Sequence, residues 1–427
     1  MTRALAFLAC AALFTQDTVI AQNISSDPDA LLTPLARAPE WRLLDRHQGR
    51  ISRTTFERLL REVYSRDGAI FDYLDINDQR VVIYRDLDKT KPLWTLTFAS
   101  SAGGQGVESP PFFPPPALTE FVRGADPVHP LRGLTIALDP GHIGGDWAQM
   151  EERWFKVGSD RPIVEAELNL ITCRLLETQL RAAGARVVWT KTGYQPVTAS
   201  RPVDFELEAI LGLADRVSGV SRPERLAGWA RRRAEMLFYR TAEIQARADR
   251  LRLLRPDLTL CIHFNAAPEP PGSERLVDFN RLVVFVLGSF MREELVYDDM
   301  KFALVRKLLE GSHLVEVAVA NQIGQAMAET WGLPPETYAG SEAIHRISSN
   351  PYVFGRNLLA NRLFQGPTVF IEGPYMNNRD TFARLQAGDY EGEQLIHNIM
   401  RRSIFREFAE LITQAILRWA QSTDGHP

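Results

Sequence analysis

Cysteine is scarce in this chain: three in 427 residues, one of them (Cys10) inside a segment that reads as removable. The remaining pair, Cys173 and Cys261, cannot build a disulfide scaffold, and a chain of this length does not need one. Both read as small buried apolar residues. No charge sign dominates, with 49 basic against 53 acidic residues and a net charge of −4. That balance argues against a nucleic-acid partner and against wholesale disorder. Long apolar runs are missing too. Past Phe14 nothing approaches the roughly 20 residues that a membrane helix needs, so no transmembrane segment is expected in the mature chain. No internal repeat is visible.

What is present begins with a targeting segment. Met1-Thr2-Arg3 is a short positive start, Ala4 to Phe14 is apolar, and Val19-Ile20-Ala21 precedes Gln22 as a cleavage site would. Residues 1–21 are therefore expected to be a signal peptide, and the protein is expected to be exported, periplasmic or wall-associated. The apolar run before Cys10 is too short for a lipoprotein signal.

Length predicts two domains. Phe56, Leu59, Leu60 and Val63 recur at helical spacing, and Arg80–Tyr84 and Leu93–Phe98 read as strands. Residues 46–100 are thus expected to form a small α+β module. Gly103-Gly104, Pro110-Pro111 and Pro114-Pro115-Pro116 mark a linker over 101–130. From 131 to 427 strands alternate with helices: 134–138, 186–190, 258–264, 282–287 and 368–371 as strands, 167–183 as a helix stopped by Gly184. The expected fold class is α/β, a mostly parallel sheet flanked by helices, with ligands gathered at the carboxyl ends of its strands.

A helical insertion is expected over 195–255, its long helix opening at Ser221-Arg222-Pro223-Glu224, a capping box with proline near the start. Between Arg222 and Arg255 it carries ten arginines against four acids. A solvated helix face is the ordinary reading; a face for anionic wall polymer is the alternative.

The residues that carry chemistry sit where strands end. His142 closes Leu138-Asp139-Pro140-Gly141-His142, and His263 lies in Cys261-Ile262-His263-Phe264-Asn265. Glu165 opens the helix of Leu168-Asn169-Leu170, and Glu372 ends Val369-Phe370-Ile371-Glu372-Gly373. Singly, each is ordinary: a strand-end histidine is usually structural and a lone glutamate is usually solvated. Together, two imidazoles and a carboxylate leave a tetrahedral zinc with one open position, beside which a second carboxylate can take a proton from water.

These runs, in this order, resemble zinc-dependent N-acetylmuramoyl-L-alanine amidases of the type 3 family over roughly residues 131–420. The resemblance implies one zinc ion per chain held by His142, Glu165 and His263, with Glu372 as the catalytic residue. It implies peptidoglycan as substrate, cut between N-acetylmuramic acid and L-alanine, and gives Arg247 a structural task. Asp139 is expected to take a hydrogen bond from a ligand histidine. Asn265 reads equally as a substrate-orienting residue and as a turn cap. His345, in Ala343-Ile344-His345-Arg346, is a substrate-binding candidate for which a structural role is the plainer reading.

The chain also departs from the pattern. Ile143 intervenes before Gly144-Gly145, and the stretch to Glu165 is long and carries Trp147, Glu151, Glu152 and Trp154. Glu167 competes with Glu165, and Cys261 shares a strand face with His263. A regulatory protein acting on the helical insertion is the protein partner these inserts suggest. Two other readings stand beside the amidase. One is another zinc amidohydrolase or carboxypeptidase-like enzyme using Arg346, Arg356 or Arg362 as a carboxylate clamp. The other is a non-catalytic wall-binding protein on the same fold.

Overall fold

A computed structural model of the chain describes residues 30–99, 126–213, 223–269 and 273–421. The expected signal peptide, residues 101–125 of the expected linker, and Ser221 and Arg222 of the capping box lie outside the described residues.

In the amino-terminal part a 3-10 helix, Trp41–His47, precedes helix α1 (Arg53–Leu59), whose N-cap Ser52 accepts a hydrogen bond from the Thr55 amide. A wider turn, Leu60–Tyr64, continues it. Three antiparallel strands follow: β1 (Leu74–Ile76), β2 (Arg80–Tyr84) and β3 (Pro92–Thr97). β2 and β3 alternate buried and open positions, as half-buried strands do. Their apolar faces meet Phe56, Leu60 and Tyr64. The cluster does not stop there: Leu287, Phe290, Tyr297, Leu304 and Leu308 from the main body belong to it. This part and the main body therefore share one core, reinforced by the Arg85–Asp298 ion pair at 2.8 Å.

The main body runs β4 (Thr135–Pro140), a two-stranded ribbon β5 (Trp154–Phe155) and β6 (Ile163–Val164), helix α2 (Glu165–Ala182), and β7 (Arg186–Trp189). The insertion supplies α3 (Glu206–Leu211), α4 (Pro223–Met236) and, through a wider turn at 237–242, α5 (Glu243–Leu254). Then come β8 (Leu258–Phe264), β9 (Val283–Val286), α6 (Asp298–Glu310), α7 (Ser312–Trp331), β10 (Ile344–Arg346), β11 (Val353–Arg356), α8 (Leu359–Leu363), β12 (Thr368–Gly373), α9 (Arg379–Gln386), a hairpin β13 (Glu393–Ile396) and β14 (Ile399–Arg402), and α10 (Ile404–Gln421).

Seven strands form the central sheet in the order β10-β11-β9-β12-β8-β4-β7. β12, β8, β4 and β7 run parallel; β9 pairs antiparallel with β12. One face is packed by α2, α7 and α10 against Ile136, Leu138, Ile262, Val284 and Ile371. On the other face α5 and α8 cover Ala137 and Cys261, leaving the carboxyl ends of β4, β8 and β12 for the site. No helix among the described residues is long and apolar enough to cross a membrane.

The shared core has a pH-sensitive member. His313, in the first turn of α7, packs against Tyr64 at 6.3 Å between ring centroids. Burial, with Arg58 and His345 adding repulsion, lowers it from 6.5 to about 4. Its folded pKa is depressed, so the unfolded chain binds the proton first between pH 6.5 and 4. Stability is full above 6.5 and is lost as pH falls toward 4, by at most about 3 kcal/mol. In urea titrations at pH 7 and pH 4.5, His313→Gln is expected to show a smaller acid loss than wild type; equal losses would refute this assignment.

Candidate metal centre

β4 delivers its last buried residues, Asp139 and Pro140, to a loop that passes directly over β8. Gly141 is required there: a Cβ on it would stand 2.1 Å from Cε1 of His263. The next residue, His142, adopts a left-handed backbone, φ +63°, which costs a non-glycine residue about 1 kcal/mol. Neighbours over-determine that turn. Arg247 donates to the carbonyls of Pro140 (3.1 Å) and His142 (3.0 Å), and Asn169 donates to that of Gly141 (3.3 Å). The Glu151 carboxylate accepts the amides of Ile143 (3.0 Å) and Gly144 (3.2 Å).

Glu165 is the first residue of α2, where the helix's positive end favours a carboxylate. One oxygen lies 3.1 Å from Nε2 of His142, the other 2.9 Å from Nδ1 of His263. The two imidazoles stand nearly perpendicular, centroids 5.0 Å apart. Among the described residues, His142, Glu165 and His263 bring one donor atom each within 4.8 Å of one another. Two nitrogens and a carboxylate oxygen suit zinc and leave it a fourth position. His263 also stacks on Phe370 at 4.1 Å, and in-register pairing of β8 with β12 sets Glu372 beside His263 on the same sheet face.

The electrostatics separate the two glutamates. Burial works against a charged His142, yet Glu165 and Glu151 outweigh it and raise the imidazole to about 9. Burial lowers His263 despite Glu165. Burial would raise Glu165, but both histidines hold it well below the usual carboxylate range. Glu372 goes the other way: its surroundings, then the Glu165 charge, push it up to about 8. A carboxylate held charged next to one poised to bind a proton is the arrangement that acid–base chemistry uses.

The remaining expectations fare differently. Asp139 does not reach a histidine: its Oδ1 accepts from Thr190 (2.5 Å) and Arg247 (3.1 Å). The carboxylate beside His142 is instead Glu151, 3.7 Å from Nδ1. Sequence offers no period that would single out Glu151, nine residues away in an irregular turn. Asn265 accepts its neighbour's amide and binds backbone at Gly373 and Met376, the geometry of a turn cap. His345 bonds Ser289 on edge strand β10, with three strands between it and β8. Glu167 stands outside the cluster, and burial pushes the Cys261 thiol well up. Arg346 is exposed, and Arg362 is tied to Asn357. The insertion lies against the site, with Phe238 packed on Trp147 at 5.0 Å.

A family model described as N-acetylmuramoyl-L-alanine amidase matches residues 136–401. Among solved structures, the chain is similar to the N-acetylmuramyl-L-alanine amidase Ami1 of Mycobacterium smegmatis, at 15% identity and TM-score 0.37, covering 68% of this chain and 98% of that one. AmiC2 of Nostoc punctiforme matches at 15% identity and TM-score 0.36, with 68% and 98% covered. The CwlD amidase of Clostridioides difficile, solved in complex with the GerS lipoprotein, matches at 12% identity and TM-score 0.34, with 67% and 98% covered. No curated protein matches the chain.

Proposed function

This chain belongs to the N-acetylmuramoyl-L-alanine amidase family, and on that premise we propose that it hydrolyses the amide between N-acetylmuramic acid and L-alanine in peptidoglycan. One zinc ion is held by His142, Glu165 and His263, and Glu372 is the general base. The observation that carries the reading is the convergence of three donor atoms within 4.8 Å, with a protonatable glutamate in register beside them. The left-handed turn at His142 and the absence of a Cβ at Gly141 support it, because both bring backbone and ring where a ligand set needs them.

When bound, zinc supplies Lewis acidity, making water more acidic and offsetting charge that develops on the amide oxygen. The protein's own groups do the rest. Glu165 stays anionic and orients both imidazoles; Glu151 and Arg247 keep the His142 turn in place. Glu372 takes a proton from the attacking water and passes it to the departing nitrogen, so the amide yields a carboxylic acid on the sugar and a free amine on the peptide.

Export by the amino-terminal segment fits a wall substrate. A regulatory partner acting on the insertion would meet Leu207, Ile210, Leu211 and Trp229, which are exposed there.

The test is metal content together with digestion of purified peptidoglycan. One zinc per chain, release of stem peptides with a free L-alanine amine, loss of release on chelation and its return with zinc are the expected results. Metal-free protein that still digests the wall, or zinc protein that releases no peptide, would overturn the proposal.

A further inference from the structure

Two side chains on the sheet face of His263 and Glu372 hold hydrogen-bonding capacity that the protein does not use. Phe370 pairs with Phe285, and Phe285 with Phe354. Alternation along β11 puts Arg356, two residues past Phe354, on the same face. Its guanidinium lies 5.6 Å from the centroid of Phe285. The Tyr338 ring packs on Phe285 and Phe354 at 6.0 and 5.1 Å. Among the described residues, neither the Arg356 guanidinium nor the Tyr338 hydroxyl has a hydrogen-bond or ion-pair partner.

The contrast with nearby arginines is sharp. Arg247 is bonded to two carboxylates and two carbonyls. Arg153 lies 3.7 Å from Glu165, Arg232 is tied to Met150 and Glu152, and Arg362 to Asn357. Arg356 is half-buried, and desolvation works against its charge; Glu372 is a carboxyl group whose charge would favour it. A guanidinium drawn partly out of water without a partner is costly unless a ligand anion completes it, and carboxylate is the anion its planar fork fits.

Between this pair and the metal cluster runs an apolar floor. Phe370 stacks on His263 at 4.1 Å and lies 6.5 Å from Phe285. We propose that Arg356 and the Tyr338 hydroxyl form a carboxylate-binding subsite, which takes the first free carboxyl group on the peptide stem beyond the amide that is cut. The subsite rests on the amidase reading above and adds to it a reason for the enzyme to distinguish stems with a free acid from stems whose acid is amidated.

The experiment compares MurNAc-L-Ala-γ-D-Glu-L-Lys with its glutamate α-carboxyl free or amidated, using wild type, Arg356→Ala, Arg356→Lys and Tyr338→Phe. Kinetics are paired with calorimetric binding of the same two compounds to metal-free protein. Wild type is expected to prefer the acid by roughly ten- to hundredfold, mainly in KM. Arg356→Ala should lose that preference while keeping its zinc. Arg356→Lys and Tyr338→Phe should keep part of the preference.

An unchanged preference in Arg356→Ala, or none in wild type, overturns the subsite and leaves the amidase reading intact. If wild type cleaves neither compound, the amidase reading fails instead. The binding arm then decides the subsite alone: binding of the acid form lost in Arg356→Ala supports it, and equal binding of both forms overturns it.

Discussion

Glu372→Gln is expected to keep its zinc and lose catalysis by a factor of about 10²–10⁴, the range that a positioned general base supplies. The amide side chain is nearly isosteric and sits on β12 between Ile371 and Gly373, both buried, so the strand has no reason to move. The proposed metal donors are on other elements: the loop after β4, the start of α2, and β8. What disappears is a carboxylate beside the cluster that can bind a proton near neutral pH, held up to about 8 by burial and by Glu165. A cation shared by Glu165 offsets that second influence, so the loaded enzyme should lose activity on acidification at a pH below 8, where the base becomes protonated. Zinc analysis and kcat on a soluble muropeptide read the result. Loss of metal along with activity would make Glu372 a ligand, and retention of turnover would remove it from the reaction.

Arg247→Ala should produce the largest loss of stability of any single substitution near the site, about 3–5 kcal/mol in urea unfolding. Arg247 is 1% exposed. Nε donates to Glu243 at 2.8 Å, and Nη1 donates to Asp139 at 3.1 Å. Removing it leaves two carboxylates in the interior without their counter-charge, and that penalty exceeds any value the pairs had by themselves. Glu243 also accepts the amides of Val197 and Thr198, so the entry to the insertion should loosen with it. The same substitution frees the carbonyls of Pro140 and His142, and zinc affinity should drop about 10–100-fold as the left-handed turn relaxes. Competition against a chelator reads that second effect separately from stability. A change of less than 1 kcal/mol with unchanged zinc affinity would show that the turn holds itself.

Much of the site was legible in the chain because its elements are strongly patterned. β4, β8 and β12 are apolar runs that stop at Asp139-Pro140, His263 and Glu372, and strand ends are where α/β sheets collect ligands. α2 starts at Glu165, two residues earlier than the apolar period alone places it, because the carboxylate suits the helix's positive end. For Asn265 and His345 the local sequence left two readings each, a substrate contact and a structural place.

Other features came from contacts between distant segments, which local pattern does not encode. Asp139 was expected to steady a histidine, yet the fold sends it to Thr190 and Arg247 and brings Glu151 to His142. β9 reads as an ordinary strand and β11 goes unmarked in the sequence, but both run against β12, and their register carries Phe285, Phe354 and Arg356 onto the face of His263 and Glu372. The amino-terminal residues read as a separate module because a Pro/Gly-rich stretch follows them. In the fold their apolar faces close on α6 and make one core with it.

The sequence by itself thus marked five of the seven sheet strands, the candidate residues that follow or end three of them and open one helix, and the family they resemble, since each depends on periodicity and residue type within a few positions. The tertiary structure decided which carboxylate steadies His142, how Arg247 is neutralised and where an unpaired guanidinium is left. Those outcomes depend on which side chains the fold brings together, nine residues apart for His142 and Glu151 and 108 apart for Asp139 and Arg247, and on burial that no local stretch contains.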